Sequence, residues 1–484
     1  MNSSVILPPD DPADLELSPA LMRAMGQAVL ERVVEHIASL PNQGSCGDVD
    51  AKELCRALRE PTPEEGVPLR ALLDPLFRDW IPRSFNTAGP GYLAFIPGGG
   101  IFPAALADLI AGGTNRYTGV WQAAPALVQL EANVLDWFRD WMGFPSTTRG
   151  LFTTGGSMSI FNAILCAREQ KLGTEIRSGV LYTSTQAHGA VVKSAKLAGI
   201  FPDRVRQVPV DSQFRMRVED LGALIERDRR AGLRPFLVVS TAGSTNTGAV
   251  DPLAAIADLC ERNGLWHHVD GAYGAFFHLV EPLRALLDGL PRADSLTLDP
   301  HKGLFLPYGT GALLVRDGAV LRAVHQVQAS YLPPAVDEEF YDAAQYGPEL
   351  SRGFPGLRVW LTIKTYGAAR LRAAIAEKRA LAVAAALRLA DAPGINLVAP
   401  PQLSLMAFCL EPPGSSLREQ NKATARLLER VNARGRVMLT GCTVDGQFLA
   451  RMCVMSFRTR KRHVDEAVDQ IIEEAKRILA EGVR

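Results

Sequence analysis

The sequence has no surplus of either charge. Its 484 residues carry 52 Lys and Arg against 52 Asp and Glu, so no strong field is available to attract a nucleic acid or an anionic membrane. Cysteine is sparse and unpatterned. Cys46, Cys55, Cys166, Cys260, Cys409, Cys442 and Cys453 are odd in number and lack C-x-x-C spacing. That argues against a disulfide framework and a zinc site, so no metal is expected, and it favours a reducing compartment. The opening MNSSVILPPDDPADLELS has neither the basic n-region nor the apolar h-region of a secretory signal. The uncharged run from Ala88 to Ala107 approaches membrane-span length but is broken by Pro90, Pro97 and Pro103. It reads as a loop leading into a helix. No internal repeat or low-complexity segment is visible. A cytoplasmic protein is expected.

What is present is the composition of a soluble globular chain, 47% hydrophobic and 21% charged, long enough for two or three domains. Ser18-Pro19 makes a helix start, followed by Leu21, Met22, Met25, Val29, Val33 and Ile37 at helical spacing. A second helix is expected around Lys52 to Leu58. Residues 1–85 read as an arm that must bury its apolar stripe elsewhere, on a second subunit. Residues 86–375 alternate β-rich and helical runs, the mark of an α/β domain with a mainly parallel sheet. Its strand candidates are GVLYTS, RPFLVVST, GLWHHVD, DSLTLD and TGALLVRD. Residues 376–484 read as a smaller α+β domain ending in an amphipathic helix with Val464, Ala467, Val468, Ile471, Ile472, Ala475 and Ile478 on one face. The basic cluster Arg458, Arg460, Lys461 and Arg462 before that helix reads as a solvated entrance.

Four segments place chemistry at strand ends, where ligands gather in open α/β sheets. In LFTTGGSMSIF, Gly155-Gly156-Ser157 leads into a helix, so free N–H groups and the positive helix end face any anion. By itself a glycine pair there is also an ordinary turn. The P-loop lysine and the dinucleotide three-glycine spacing are both missing. In VLYTSTQAHGAVV, His188 falls at a strand-to-helix junction, a place for a structural imidazole or for one stacked on a planar ligand. In GLWHHVDGAYG, Asp270 ends an apolar strand, where a carboxylate either caps the next helix or holds a cation in the crevice. In DPHKG, Lys302 stands between two sheet elements rather than on an ordinary solvated loop.

Together these pieces suit pyridoxal 5'-phosphate. That cofactor needs an anion cradle for its phosphate, a carboxylate to keep its pyridine nitrogen protonated, and a lysine for its aldehyde. Gly156-Ser157, Asp270 and Lys302 supply the three.

The ordered runs AHGAVVKSAKLAG, HVDGAYG and DPHKG closely resemble the group II pyridoxal-phosphate-dependent amino acid decarboxylases, which include aromatic-L-amino-acid, histidine and glutamate decarboxylases. The likeness extends through GYLAFIP, VWQAAPALVQLEANVLDW and VMSFRTRKRHVDEAVDQI, nearly the whole chain. It implies a fold-type-I, aspartate-aminotransferase-like architecture, and a homodimer with the active site at the subunit interface. It implies decarboxylation of an L-amino acid to an amine through an external aldimine and a quinonoid. Carried over, it makes His188 the ring-stacking imidazole, Ala272 a packing residue on the other face, and Asp270 the pyridinium partner. Thr245 becomes a neighbour of that site, Lys302 the Schiff-base lysine, and Gly156, Ser157 and His301 cofactor contacts. Tyr331, in ASYLPPAVDEEFYD, takes the place of the loop tyrosine that reprotonates Cα. Members that pass electrons to oxygen make an aldehyde instead, and in many of those the tyrosine is phenylalanine, so Tyr331 favours simple decarboxylation. Transamination and β-elimination are further outcomes of the same apparatus.

The departures concern the substrate. Thr87 and Gly119 stand where aromatic-substrate members carry large rings, Phe95 keeps one, and Gly98 replaces a hydroxyl residue. Arg116 is placed either to meet a polar or anionic side chain or to form an intersubunit ion pair. Met158 stands where a glutamate is frequent. Asp299 replaces an asparagine common in animal members, and an anion there opposes a phosphate contact at residue 299.

Overall fold

The computed structural model describes residues 15–47, 51–326, 330 and 339–482. Seven strands build the larger sheet: β1 Arg149–Thr153, β2 Gly179–Ser184, β3 Val205–Val208, β4 Arg234–Thr241, β5 Trp266–Asp270, β6 Ser295–Leu298 and β7 Gly311–Val315. Their spatial order is β1-β7-β6-β5-β4-β2-β3. β7 runs antiparallel to both its neighbours, and all the other pairings are parallel. Apolar runs such as FLVV in β4 and ALLV in β7 suit strands covered on both faces. In β2, Val180 and Tyr182 enter one core while Leu181 enters the other, the alternation a pleated strand requires.

The β2 and β4 runs are found as the sequence predicts, while β5, β6 and β7 begin or end a residue or two inside their predicted spans. β1 and β3 are additional. β3 carries Arg206 and Gln207 between two valines, and β1 opens on Arg149-Gly150, so neither has the apolar signature of its neighbours.

Ser18 caps the first helix, Pro19–Ser39, accepting from Leu21 N at 3.2 Å. That helix buries none of its side chains, and Met22, Val29, Leu30 and Val34 are exposed. At the other end of the chain, β8 Ile395–Ala399, β9 Leu405–Leu410, β10 Thr440–Val444 and β11 Gln447–Cys453 form an antiparallel sheet in the order β10-β11-β9-β8. The last helix, Lys461–Glu481, buries Val464, Ala467, Val468, Ile471, Ala475 and Ile478 against it, with Ile472 partly covered. A long helix, Ala368–Ala390, joins the two cores: Leu371 and Ile375 sit in the larger, Ala382, Ala385 and Leu389 in the smaller.

The glycine- and proline-broken run is indeed a loop before the helix Phe102–Thr114. It ties three parts together. Leu93 N donates to Met438 O at 3.0 Å, Cys453 N donates to Leu93 O at 2.9 Å, and Ile101 N donates to Phe305 O at 2.8 Å. Here one expectation needs correction. Arg460, Lys461 and Arg462 are exposed, but Arg458 is not a solvated helix entrance. Its guanidinium stacks on Phe457, 4.3 Å from the ring centroid, and donates to the carbonyls of Ala88, Gly99 and Gly100. The loop offers a cluster of free carbonyl oxygens, and a guanidinium satisfies several at once.

Candidate active site

The carboxyl ends of β2, β4, β5 and β6 converge on a cavity of about 350 Å³. Each strand delivers a side chain or a turn into it. After β1, Gly155 at φ 150 turns the chain into the helix Gly156–Leu172. The first-turn N–H groups of Gly156 and Ser157 have no helical carbonyl behind them. A Cβ built on Gly156 would stand 3.1 Å from Ala272 Cβ and 3.3 Å from Asp299 Oδ2, so a side chain there would fill the cradle. After β2, His188 lies exposed at the cavity, its Nδ1 accepting from Ala190 N at 3.1 Å. That bond leaves Nε2 to carry the proton of the neutral ring.

Asp270 closes β5. It is 6% exposed, and its Oδ1 accepts from Ala272 N at 3.2 Å. Burial pushes its carboxyl above the usual carboxylate range, against the opposing pull of Lys302, the Ala272 amide and His188. Asp299 follows β6, and the short helix Pro300–Gly303 then turns Lys302 back so that Nζ lies 2.8 Å from Asp299 Oδ2. Burial alone depresses the Lys302 ammonium, but Asp299, followed by Asp270, holds it above its ordinary value. His301 Nδ1 donates to Thr310 O at 2.7 Å, which fixes the ring and turns Nε2 toward Asp299 Oδ2, 3.6 Å away.

Of the residues singled out from the sequence, Gly156, Ser157, His188, Thr245, Asp270, Ala272, His301 and Lys302 line this one cavity. Phe95 does not. It is half-exposed at φ 53 and stacks on Tyr92, with 6.5 Å between centroids. Arg116 lines a separate cavity of about 590 Å³, which shares Thr154 with the first. Tyr331 lies outside the described residues. Gly155 and Asp299, noted in the sequence for their segments, line it too, and the structure adds Thr154, Ile160, Thr241, Gly243 and Tyr273. Thr241, as the last residue of β4, could have been found by the strand-end rule that found Asp270. Arg451 carried no signal. It reaches from β11, is 4% exposed and donates to the backbone carbonyls of Thr245 and Asn246, holding the Thr245 turn in place.

The residues fit pyridoxal phosphate. A glycine turn with free N–H groups suits its phosphate, a buried carboxylate its pyridine nitrogen, and a lysine its aldehyde. The comparisons agree. The chain matches the pyridoxal-dependent decarboxylase conserved domain over residues 55–411. It is 34% identical to an aromatic-L-amino-acid decarboxylase of Bacillus atrophaeus over 92% of this chain and 94% of that one. The crystal structure of Oryza sativa TDC with PLP and tryptamine superposes with a TM-score of 0.92 at 25% identity, covering 96% of this chain and all of that one. A Rhodiola rosea 4-hydroxyphenylacetaldehyde synthase structure superposes at 0.89 with 26% identity, over 97% of this chain and all of that one. The chain belongs to the pyridoxal-dependent decarboxylase family, with the fold-type-I architecture, and is a pyridoxal-phosphate-dependent carboxy-lyase acting on an amino acid.

Proposed function

We propose that this chain removes the α-carboxylate of an L-amino acid to release the amine and carbon dioxide, with Lys302 as the amine that carries the cofactor. The observation that carries this reading is the meeting of Lys302, Asp270 and the Gly156-Ser157 turn in one cavity. When bound, pyridoxal phosphate supplies an electron sink for the pair released at the substrate's Cα. Gly156 and Ser157 hold the phosphate through N–H and hydroxyl groups, and His301 is a further cofactor contact. Asp270 holds a proton at the pyridine nitrogen. His188 covers one face of the ring and Ala272 the other, with Thr245 alongside. Tyr331 donates the proton that replaces the lost carboxylate, while Phe95 and Arg116, which lie outside this cavity, meet the substrate only across the subunit interface of the homodimer.

The assembly in this reading is a homodimer with the site at the interface, which gives the exposed apolar side of Pro19–Ser39 a surface to cover. The compartment is the cytoplasm, in keeping with seven cysteines that are all unpaired. Aromatic amino acids head the substrate candidates because aromatic-L-amino-acid decarboxylases are among the relatives. Polar and anionic side chains follow because of Arg116. A second reading, decarboxylation coupled to oxygen with release of an aldehyde, draws on the aldehyde synthase among the structural relatives.

The test is mass spectrometry of products from an L-amino-acid panel in air, with ammonia and peroxide assayed alongside. Amine without peroxide supports the first reading; aldehyde with ammonia and peroxide supports the second. Lys302→Ala is expected to abolish turnover, and sustained multiple-turnover amine production by that variant overturns the assignment of Lys302.

A further inference from the structure

Asp299 is a buried carboxylate that the functional reading leaves without a task. Its side chain is 2% exposed, and its Oδ2 lies 2.8 Å from Lys302 Nζ and 3.6 Å from His301 Nε2. The other oxygen, Oδ1, is buried without a hydrogen-bond partner. A buried anion is retained at low cost only beside a cation that stays charged. Among the described residues, Asp299 is the one carboxylate ion-paired with Nζ.

A role as a phosphate contact is ruled out by charge. Oδ2 stands only 3.3 Å from where a Gly156 Cβ would lie, and an anion that close to the cradle repels a phosphate. The position suits the nitrogen instead.

We infer that Asp299 is the counter-ion of the Lys302 nitrogen, keeping the proton on that nitrogen both in the free amine and when it is joined to the cofactor. This rests on the reading that Lys302 carries pyridoxal phosphate. Asp299 is thus a positioning residue that acts through Lys302. Other groups face the same nitrogen and set the background. Asp270 acts on it from the end of β5, and Tyr308 from the loop before β7. His301, on the same short helix, shares Asp299 Oδ2 but has Nδ1 committed to Thr310 O. His188 bears on Asp270 from the β2 side. Asp270 remains in the variant proposed below, so the change isolates Asp299.

The experiment compares holoenzyme of the wild type and Asp299→Asn by the visible absorption of the lysine-bound cofactor, titrated from acid to alkaline pH. Removing an opposite charge at this distance should lower the midpoint by about one to three pH units. In parallel, cofactor-free protein is reductively methylated across pH and Lys302 labelling is read by peptide mass spectrometry. The midpoint of labelling should fall in the same direction. Asp299→Ala, with melting curves on all three proteins, guards against a folding defect in the asparagine variant.

Midpoints that stay put, or that move upward, overturn the inference. Borohydride reduction of the holoenzyme separates the two readings. If the cofactor is trapped on another lysine, the functional assignment of Lys302 fails, while the labelling of cofactor-free protein still decides whether Asp299 holds the Lys302 proton.

Discussion

In the proposed function Asp270 works as an anion in a place that disfavours anions. It is buried, and burial raises its carboxyl above the ordinary range, while Lys302, the Ala272 amide and His188 pull it back. A cationic ring nitrogen completes the compensation, so cofactor and carboxylate stabilise each other. The sign of the pH effect follows. As pH falls, Asp270 takes up its proton sooner than an exposed carboxylate does, and the cofactor loses its partner. Cofactor affinity of the wild type should therefore weaken on the acid side, and Asp270→Asn should bind more weakly with that dependence flattened. Amine production by Asp270→Asn should drop about 10²–10³-fold, the scale for losing one well-placed electrostatic partner. Equilibrium dialysis of the cofactor across pH, together with kcat, checks both statements. At this scale the sequence was informative wherever chemistry forces a residue type, as at Asp270, Lys302 and Gly156. It was uninformative for Arg451, whose partners, the carbonyls of Thr245 and Asn246 and the Thr440 hydroxyl, are brought close only by the fold.

The loop Asn86–Ile101 shows what elements add to residues. Gly98 lies against the Lys302 segment so closely that a Cβ built on it would sit 2.0 Å from His301 O. Backbone cannot yield as a side chain end can, so Gly98→Ala must displace either the loop or the Asp299–Gly303 turn. The expected outcome is a fall in cofactor affinity of at least about tenfold, equivalent to about 1.4 kcal/mol, with the fold retained. Cofactor titration alongside a melting curve measures this, and unaltered affinity would show that the turn does not need the loop's support. The sequence reading took Gly98 as a lost hydroxyl in the substrate pocket. The structure gives a steric reason for the same residue, visible only once two distant segments are packed. Strand legibility follows the same logic. β2 and β4 carry the apolar runs VLY and FLVV because both faces are covered there, whereas β3, at the sheet edge with polar residues, carries no such signature.

For the whole molecule, two features outside the site bear on how the chain persists. The helix Pro19–Ser39 exposes Val29 at 37% and Val34 at 50%, with Leu30 and Met22 beside them. A contiguous apolar face of this kind marks an association surface. If the proposed homodimer uses this face, Val34→Asp shifts the chain toward monomer in light scattering and lowers amine production with it; an unchanged mass would remove this helix from the interface. The second feature is the adjacent pair His267 and His268 on β5, buried neutral with values pushed down to about 3 by burial. His268 is bonded through both nitrogens, to Ser295 Oγ at 2.8 Å and Thr297 Oγ1 at 3.1 Å. His267 bonds Ser240 through Nε2, but its Nδ1 is buried without a partner, so a second proton there finds no acceptor. The unfolded chain takes up protons on these rings near their ordinary value while the folded chain refuses them, so each ring costs stability as pH falls below about 6.5. The slope is about 1.4 kcal/mol per pH unit for each ring down to its folded value. Asp251 works the other way. Its carboxyl, raised to about 6 by burial, keeps its proton better folded than unfolded, so its contribution grows as pH falls through that range. His268→Asn removes one titrating ring. The stability difference between wild type and variant, from urea unfolding between pH of about 6.5 and about 4.5, should move in the variant's favour by about 1.4 kcal/mol for each unit of acidification. A difference that stays constant with pH would mean His268 is already charged in the folded protein.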